Sequence, residues 1–122
     1  MSADLTPFVF EGAEMRTVIG EDGEPCFVAA DVARILGYRD AHNMARRLDA
    51  DEKGTHLAST PGGEQSLIVI TEAGLYSAIL GSQVPGARAF KRWVTRDVLP
   101  SIRRTGSYAA PRALPGRLEL AQ

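Results

Sequence analysis

The residues with the clearest chemistry in this chain are arginines, and their spacing is helical. The stretch "FKRWVTRDVLPSIRRTGSY" covers residues 90–108. Stepping about 100° per residue from Arg88 gathers Arg88, Arg92, Arg96 and Arg103 within a sector of roughly 80°. Lys91 and Arg104 lie in the same stretch. A guanidinium fork donates two hydrogen bonds at once, which suits the oxygens of a phosphate. The same projection gathers Ala87, Phe90, Val94, Val98 and Ile102 into a separate apolar stripe. Trp93 falls outside that stripe, so its burial requires a second layer, either the N-terminal sheet or a partner subunit. Pro100 cannot donate to the carbonyl of Arg96, and its ring presses on that turn, which predicts a bent or restarted helix. The plainer reading is a solvated face with local pairs such as Arg96 or Arg104 beside Asp97.

A second basic element stands earlier. Between residues 34 and 47 the charges are Arg34, Arg39, Arg46 and Arg47 against Asp40 alone. "DVARILGYRDAHNMARRL" has the form of a helix-turn-helix, with Ala33 four residues before a turn glycine, Gly37, and an amphipathic second helix after it. In that motif the second helix lies in the major groove, so its outward residues His42, Asn43, Arg46 and Arg47 would meet base edges and phosphates. Two-helix corners with Ala and Gly at this spacing also occur merely to pack.

Catalytic patterns are absent from the sequence. No glycine-rich phosphate loop opens a helix, there is no nucleophile elbow, and no H-E-x-x-H or paired C-x-x-C spacing occurs. Cys26, the single cysteine, sits beside Phe27 in an apolar run and reads as an inert core residue. His42 and His56 are too far apart in sequence to suggest a metal set. The expectation is a protein that is not an enzyme, with no cofactor and no metal.

The elements that must position the arginines are legible. "PFVFEG", "MRTVIG" and "CFVA" read as strands, with Asp22-Gly23 as a tight turn between the last two. A first helix is predicted from about Ala29 to Leu36, stopped by Gly37. Asp40 caps a second, "AHNMARRLD", with Ala41, Met44, Ala45 and Leu48 inward; "DADEKG" ends it. "THLAS" and "SLIVI" flank a hairpin loop, "TPGGEQ". Thr71 caps a third helix with Leu75, Tyr76, Ile79 and Leu80 inward and Gly81 as its stop. Pro85 suits the first position of the fourth. The fold class expected is α+β, a small antiparallel sheet with about four helices, including the helix-turn-helix-like pair. One domain is expected over residues 1–106, with 107–122 as a flexible tail rich in Gly, Pro and Ala.

The chain of 122 residues carries a formal net charge of -1, but the signs are separated. Residues 1–31 hold Asp4, Glu11, Glu14, Glu21, Asp22, Glu24 and Asp31 against Arg16, whereas residues 88–104 hold six cations against Asp97. That asymmetry suggests a polyanion for one face. No apolar run approaches the ~20 residues of a membrane span, and no signal-like N-terminus is evident.

"CFVAADVARILGYRDAHNMARRL" followed by "LIVITEAGLYSAILGSQVPGARAFKRWVTRDVLPSIRRTGSY" resembles the BRO N-terminal domain of phage antirepressor proteins and baculovirus BRO proteins. The resemblance runs from Phe8 to Tyr108. Its most specific piece ends in "VLPSIRRTG", with Trp93, Pro100, Ile102, Arg103, Gly106 and Tyr108 at the family's positions. It implies a compact α+β domain that binds DNA, commonly at the N-terminus of a phage or prophage transcription regulator. Many members carry a second, C-terminal domain, so activities residing there, such as capture of a repressor, do not carry over. The DNA-binding set is then Arg39, His42, Asn43, Arg46, Arg47, Arg88, Lys91, Arg92, Arg96, Arg103 and Arg104. The expected partner is double-stranded DNA in the cytoplasm of a bacterial host, at the nucleoid. The alternative is a module that binds and displaces another regulator, with the acidic first third toward a basic partner and the arginine face as a homodimer interface.

Overall fold

A computed structural model describes residues 5–105. Five strands form one antiparallel sheet: β1 (Thr6–Phe10), β2 (Ala13–Ile19), β3 (Pro25–Val28), β4 (Lys53–Thr60) and β5 (Gly63–Thr71), in the spatial order β1-β2-β3-β5-β4. Between β3 and β4 the chain forms α1 (Ala29–Leu36), α2 (Ala41–Ala45) and a single 3-10 turn at Ala50–Glu52. After β5 come α3 (Glu72–Gly81), α4 (Ala87–Trp93), a π-helical turn at Val94–Val98 and α5 (Leu99–Thr105); the last three form one unbroken helical run. The α+β architecture is as expected. The anticipated tail, with Gly106 and Tyr108, lies outside the described residues.

Directly opposed residues in a ladder share a face. Phe8 opposes Met15, and Phe27 opposes Ile70; all four pack in or against one apolar cluster with Val32, Leu36, Leu75, Phe90 and Val94 of the helices. The helices therefore cover one face of the sheet. Phe10 lies 5.4 Å from Phe90 and 5.1 Å from Trp93 between ring centroids, and Phe8 meets Trp93 edge-on at 6.4 Å. This resolves the position of Trp93: the second layer that half-buries it is β1.

Where β3 ends and α1 begins, one side of β2 loses its partner. The β2–β3 ladder stops at Thr17 opposite Phe27, so the N–H of Arg16 has no strand to donate to. It donates instead to Oδ2 of Asp31 at 2.9 Å. The Arg16 side chain adds two bonds to the same carboxylate, at 2.8 and 2.9 Å, and Arg34 adds one at 2.9 Å. Asp31 is 1% exposed. Burial alone would push its carboxyl upward, but the hydrogen bonds and charge of Arg16, with that of Arg34, outweigh it and hold the group below the ordinary aspartate range.

Several local expectations need revision. The β4–β5 ladder runs to Thr60 opposite Gly63, leaving a two-residue loop in place of "TPGGEQ", because Gly63 takes the positive φ (105°) that closes the turn. Helix α2 has five residues rather than nine; Arg46 and Arg47 lie in the turn after it. "DADEKG" contains the 3-10 turn, stabilised by a capping box in which Asp49 and Glu52 bond reciprocally. Gly81 is the last residue of α3, with Ser82 as its cap, and Leu80 is 86% exposed, since nothing in the described structure covers that side of α3. Pro85 sits in a turn, and α4 begins at Ala87 with Gly86 as N-cap.

Substituting Asp31 with asparagine is expected to lower unfolding free energy in urea at pH 7 by about 2 kcal/mol, because two part-exposed guanidinium groups lose their buried anion. The carboxyl is depressed in the fold, so its contribution is complete above the unfolded value of about 3.9 and is lost as pH falls through the folded one. The stability gap between wild type and Asp31→Asn should therefore narrow on acidification. An unchanged gap between pH 7 and strong acid would count against this assignment.

Candidate nucleic-acid interface

Helix α2 is short, so its position depends on its neighbours rather than its own propensity. The carboxylate of Asp40 accepts the N–H of Asn43 at 2.7 Å, and this bond outweighs the opposing effect of burial and, with the lesser help of the charges of Arg39 and His42, holds Asp40 below its ordinary range. At the other end, Nζ of Lys53 donates to the carbonyl of Ala45 at 2.7 Å, placing a cation where the helix dipole is negative. Met44, Ala45 and Leu48 are buried and Ala41 is half-buried, as the apolar stripe predicts.

The corner between α1 and α2 is fastened to the end of α3. Gly37 takes φ 81°, and a Cβ there would come within 2.5 Å of Val84 Cγ1, so the site admits only glycine without rearrangement. The hydroxyl of Tyr38 donates to the carbonyl of Ala78 at 2.7 Å, and that of Ser82 donates to the carbonyl of Leu36 at 2.7 Å. The guanidinium carbon of Arg47 stands 5.7 Å from the Tyr38 ring centroid, which orients that cation. Arg39, Asn43 and Arg47 line a shallow cleft against Ser82 and Val84. On the opposite side of α2, His42, Arg46, Lys53, Thr55 and Ile68 line a second cleft of about 530 Å³, between the helix and the β4–β5 hairpin.

The helical run after Gly86 carries the other cations. Phe90, Val94, Val98 and Ile102 are all buried, although residues four apart drift by ~40° per step in a straight α-helix. The π turn removes that drift by underwinding: Leu99 N–H bonds to the carbonyl of Val94, five residues back. This turn lies immediately before Pro100, the residue that cannot donate to Arg96. Thr95 adds a hydroxyl bond to the carbonyls of Lys91 and Arg92, each at 3.1 Å.

The named site residues divide accordingly. His42, Arg46 and Arg47 are exposed on or beside α2, and Asn43 is half-buried there. Arg88, Lys91, Arg92 and Arg96 are exposed along the helical run and carry no ion pair to the described residues. Arg103 is 3.9 Å from Glu72, so its charge is directed at the start of α3 and not only outward. Arg104 is exposed, and Arg39 makes a surface pair with Asp40 at 3.6 Å. Arg34, counted in the second basic element, has its charge engaged by Asp31. Lys53 and Tyr38 were not legible as site residues, because each acts through a contact with the carbonyl of a residue distant in sequence.

The acids lie elsewhere. Val18 opposes Cys26 and Val28 opposes Val69, on the sheet face away from the helices. A cleft with Val18, Cys26, Val69 and His56 in its lining also includes Glu21 and Asp22. There burial first, then the charges of Asp22 and Glu24, push the Cys26 thiol above its ordinary value, which disfavours the thiolate.

The family model described as BRO family, N-terminal domain, matches residues 14–100. An uncharacterized protein of Haemophilus influenzae is 35% identical over 106 residues, 85% of this chain and 52% of that protein. A protein of Invertebrate iridescent virus 6, named as Bro-N domain-containing, is 31% identical over 114 residues, 78% of this chain and 27% of its own. Protein J of Lymantria dispar multicapsid nuclear polyhedrosis virus, also named as Bro-N domain-containing, is 27% identical over 111 residues, 77% of this chain and 28% of its own. The chain thus spans about half the bacterial relative and little more than a quarter of the viral ones. No solved structure matches it.

Tyr38→Phe should lower stability by about 1 kcal/mol through loss of the bond to Ala78. The ring beneath Arg47 stays in place, so Tyr38→Ala should cost more. Equal urea midpoints for the wild type and Tyr38→Phe would show that the hydroxyl contributes nothing.

Proposed function

From the premise that this chain belongs to the BRO family by its N-terminal domain, we propose that it is a DNA-binding regulator of the phage or prophage type, acting by binding rather than catalysis. The observation that carries this reading is the placement of six exposed cations, Arg46 and Arg47 beside α2 and Arg88, Lys91, Arg92 and Arg96 along the helical run, with no carboxylate partner among the described residues. Asp97, next to Arg96 in sequence, forms no ion pair with any of them. Phosphate oxygens supply what these groups lack.

Two roles follow for the two elements. The helical run holds the phosphate backbone through Arg88, Lys91, Arg92 and Arg96, and this fixes position without reading sequence. The α1–α2 corner acts as the helix-turn-helix pair, and His42, Asn43, Arg46 and Arg47 reach the groove. Arg103 and Arg104 extend the phosphate contact at the end of α5. A second reading has its own support: exposed Glu11, Glu14, Glu21, Asp22 and Glu24, together with the exposed side chain of Leu80, suit a protein partner such as another regulator.

The test is binding of the full chain to a fluorescent random-sequence duplex across a salt series. Affinity should fall steeply with salt, and the paired charge reversal Arg92→Glu with Arg96→Glu should weaken binding to every sequence and reduce the salt slope by roughly 2. Arg46→Ala should change sequence preference as well as affinity, by about 1–3 kcal/mol at the affected position. Folded protein that ignores duplex DNA at low salt would remove this reading and favour the protein partner.

A further inference from the structure

We propose that β4 is the docking edge for a second copy of this chain, with β4 pairing antiparallel to β4 of the other copy about a two-fold axis through Leu57. The strand stands at the end of the sheet, with β5 on one side and, among the described residues, no strand on the other. It is eight residues long, and its row of outward N–H and C=O groups is a template for strand addition. Natural edges are usually guarded by lysine, proline, a bulge or brevity. The other edge of this sheet is guarded in that way: β1 has five residues and Pro7 within it. The β4 edge is not. Gly54 to Thr60 contains no Asp, Glu, Lys, Arg or Pro, and the one charged residue of the strand, Lys53, is turned onto the carbonyl of Ala45.

The occupant is argued from the strand's own self-complementarity. With the axis at Leu57, each Leu57 faces its copy, Thr55 faces Ser59, and His56 faces Ala58. Leu57 is 62% exposed on the helix side of the sheet, and the pairing would bury it against itself. Neither copy brings a charge to the contact along Gly54–Thr60, so no repulsion opposes it. A charged or proline-bearing strand would not be matched by this edge, whereas an identical neutral strand is. The axis is perpendicular to the sheet, so both helical layers fall on one side of the joined sheet. That arrangement would give two α2 elements to one DNA face, the arrangement dimeric readers of repeated half-sites use. The pairing itself rests on the strand edge alone and stands or falls without DNA.

The experiment is sedimentation equilibrium of the full chain, in the absence of DNA, over a wide concentration range. Reversible dimers are expected for wild type, and Leu57→Lys, at an exposed position, should remain folded and sediment as a monomer. In a Cys26→Ala background, Leu57→Cys places two thiols at the axis with Cβ atoms about 5.5 Å apart, within reach of a short bifunctional thiol reagent. It should cross-link several-fold faster than Val9→Cys, a comparably exposed position on β1 (64%). A wild type monomeric in the hundreds of micromolar overturns the proposal. So does a dimer that survives Leu57→Lys, or cross-linking at Val9→Cys as fast as at Leu57→Cys.

Discussion

The structure depends first on one buried carboxylate. Where the chain leaves β3 to form α1, the sheet must end on one side while β2 continues, and a backbone N–H would be left facing an apolar interior. Such a group costs about 1–3 kcal/mol if unsatisfied. Asp31, in the first turn of α1, removes the problem by accepting that N–H, and the Arg16 side chain then neutralises the charge that the solution introduces. The three bonds from Arg16 to this residue tie strand to helix at the point where the fold changes from one to the other. They stand at the start of α1, whose other end makes the corner with α2.

From that corner outward, apolar packing determines where the cations go. The helical run is held by Phe90 and Trp93 against Phe8 and Phe10, and by Val94, Val98 and Ile102 against the rest of the core. A regular α-helix would rotate these residues away from the core over its length. The π turn prevents this, and its position before Pro100 is physically consistent, since a proline ring is least costly where the ordinary i to i−4 bond is already interrupted. Arg88 and Arg92 stand in α4 before the π turn and Arg96 within it, and all three are exposed while Phe90, Val94 and Val98 are buried.

The parts legible in the sequence are those controlled by local chemistry. Helix α1 was predicted at Ala29 to Leu36 and is found there, because Gly37 supplies the left-handed cap that ends it. The Asp40 and Thr71 caps were legible for the same reason. What was not legible depended on residues remote in sequence. Leu80 looked inward by periodicity, but no element covers that side of α3. Arg34 and Asp31 were counted into opposite charge blocks, although they bond to each other at 2.9 Å. A straight-helix projection placed Arg103 with Arg88, and could not include a turn of different pitch between them.

The separation of charge within the chain outweighs its near-neutral total. Glu21 and Asp22 border the sheet face opposite the helices, and the unpaired cations lie on the helical side. One packed layer is about 10 Å thick, and the Debye length at physiological salt is about 8 Å. A polyanion lying against the helical side therefore experiences the arginines at contact distance and the acids only through salt screening. The net charge of -1 then lowers non-specific attraction at long range while leaving short-range contacts intact. On the proposed DNA-binding reading, a phosphate backbone would be met with the helices forward, and the field of the arginines would draw the α1–α2 corner toward the groove.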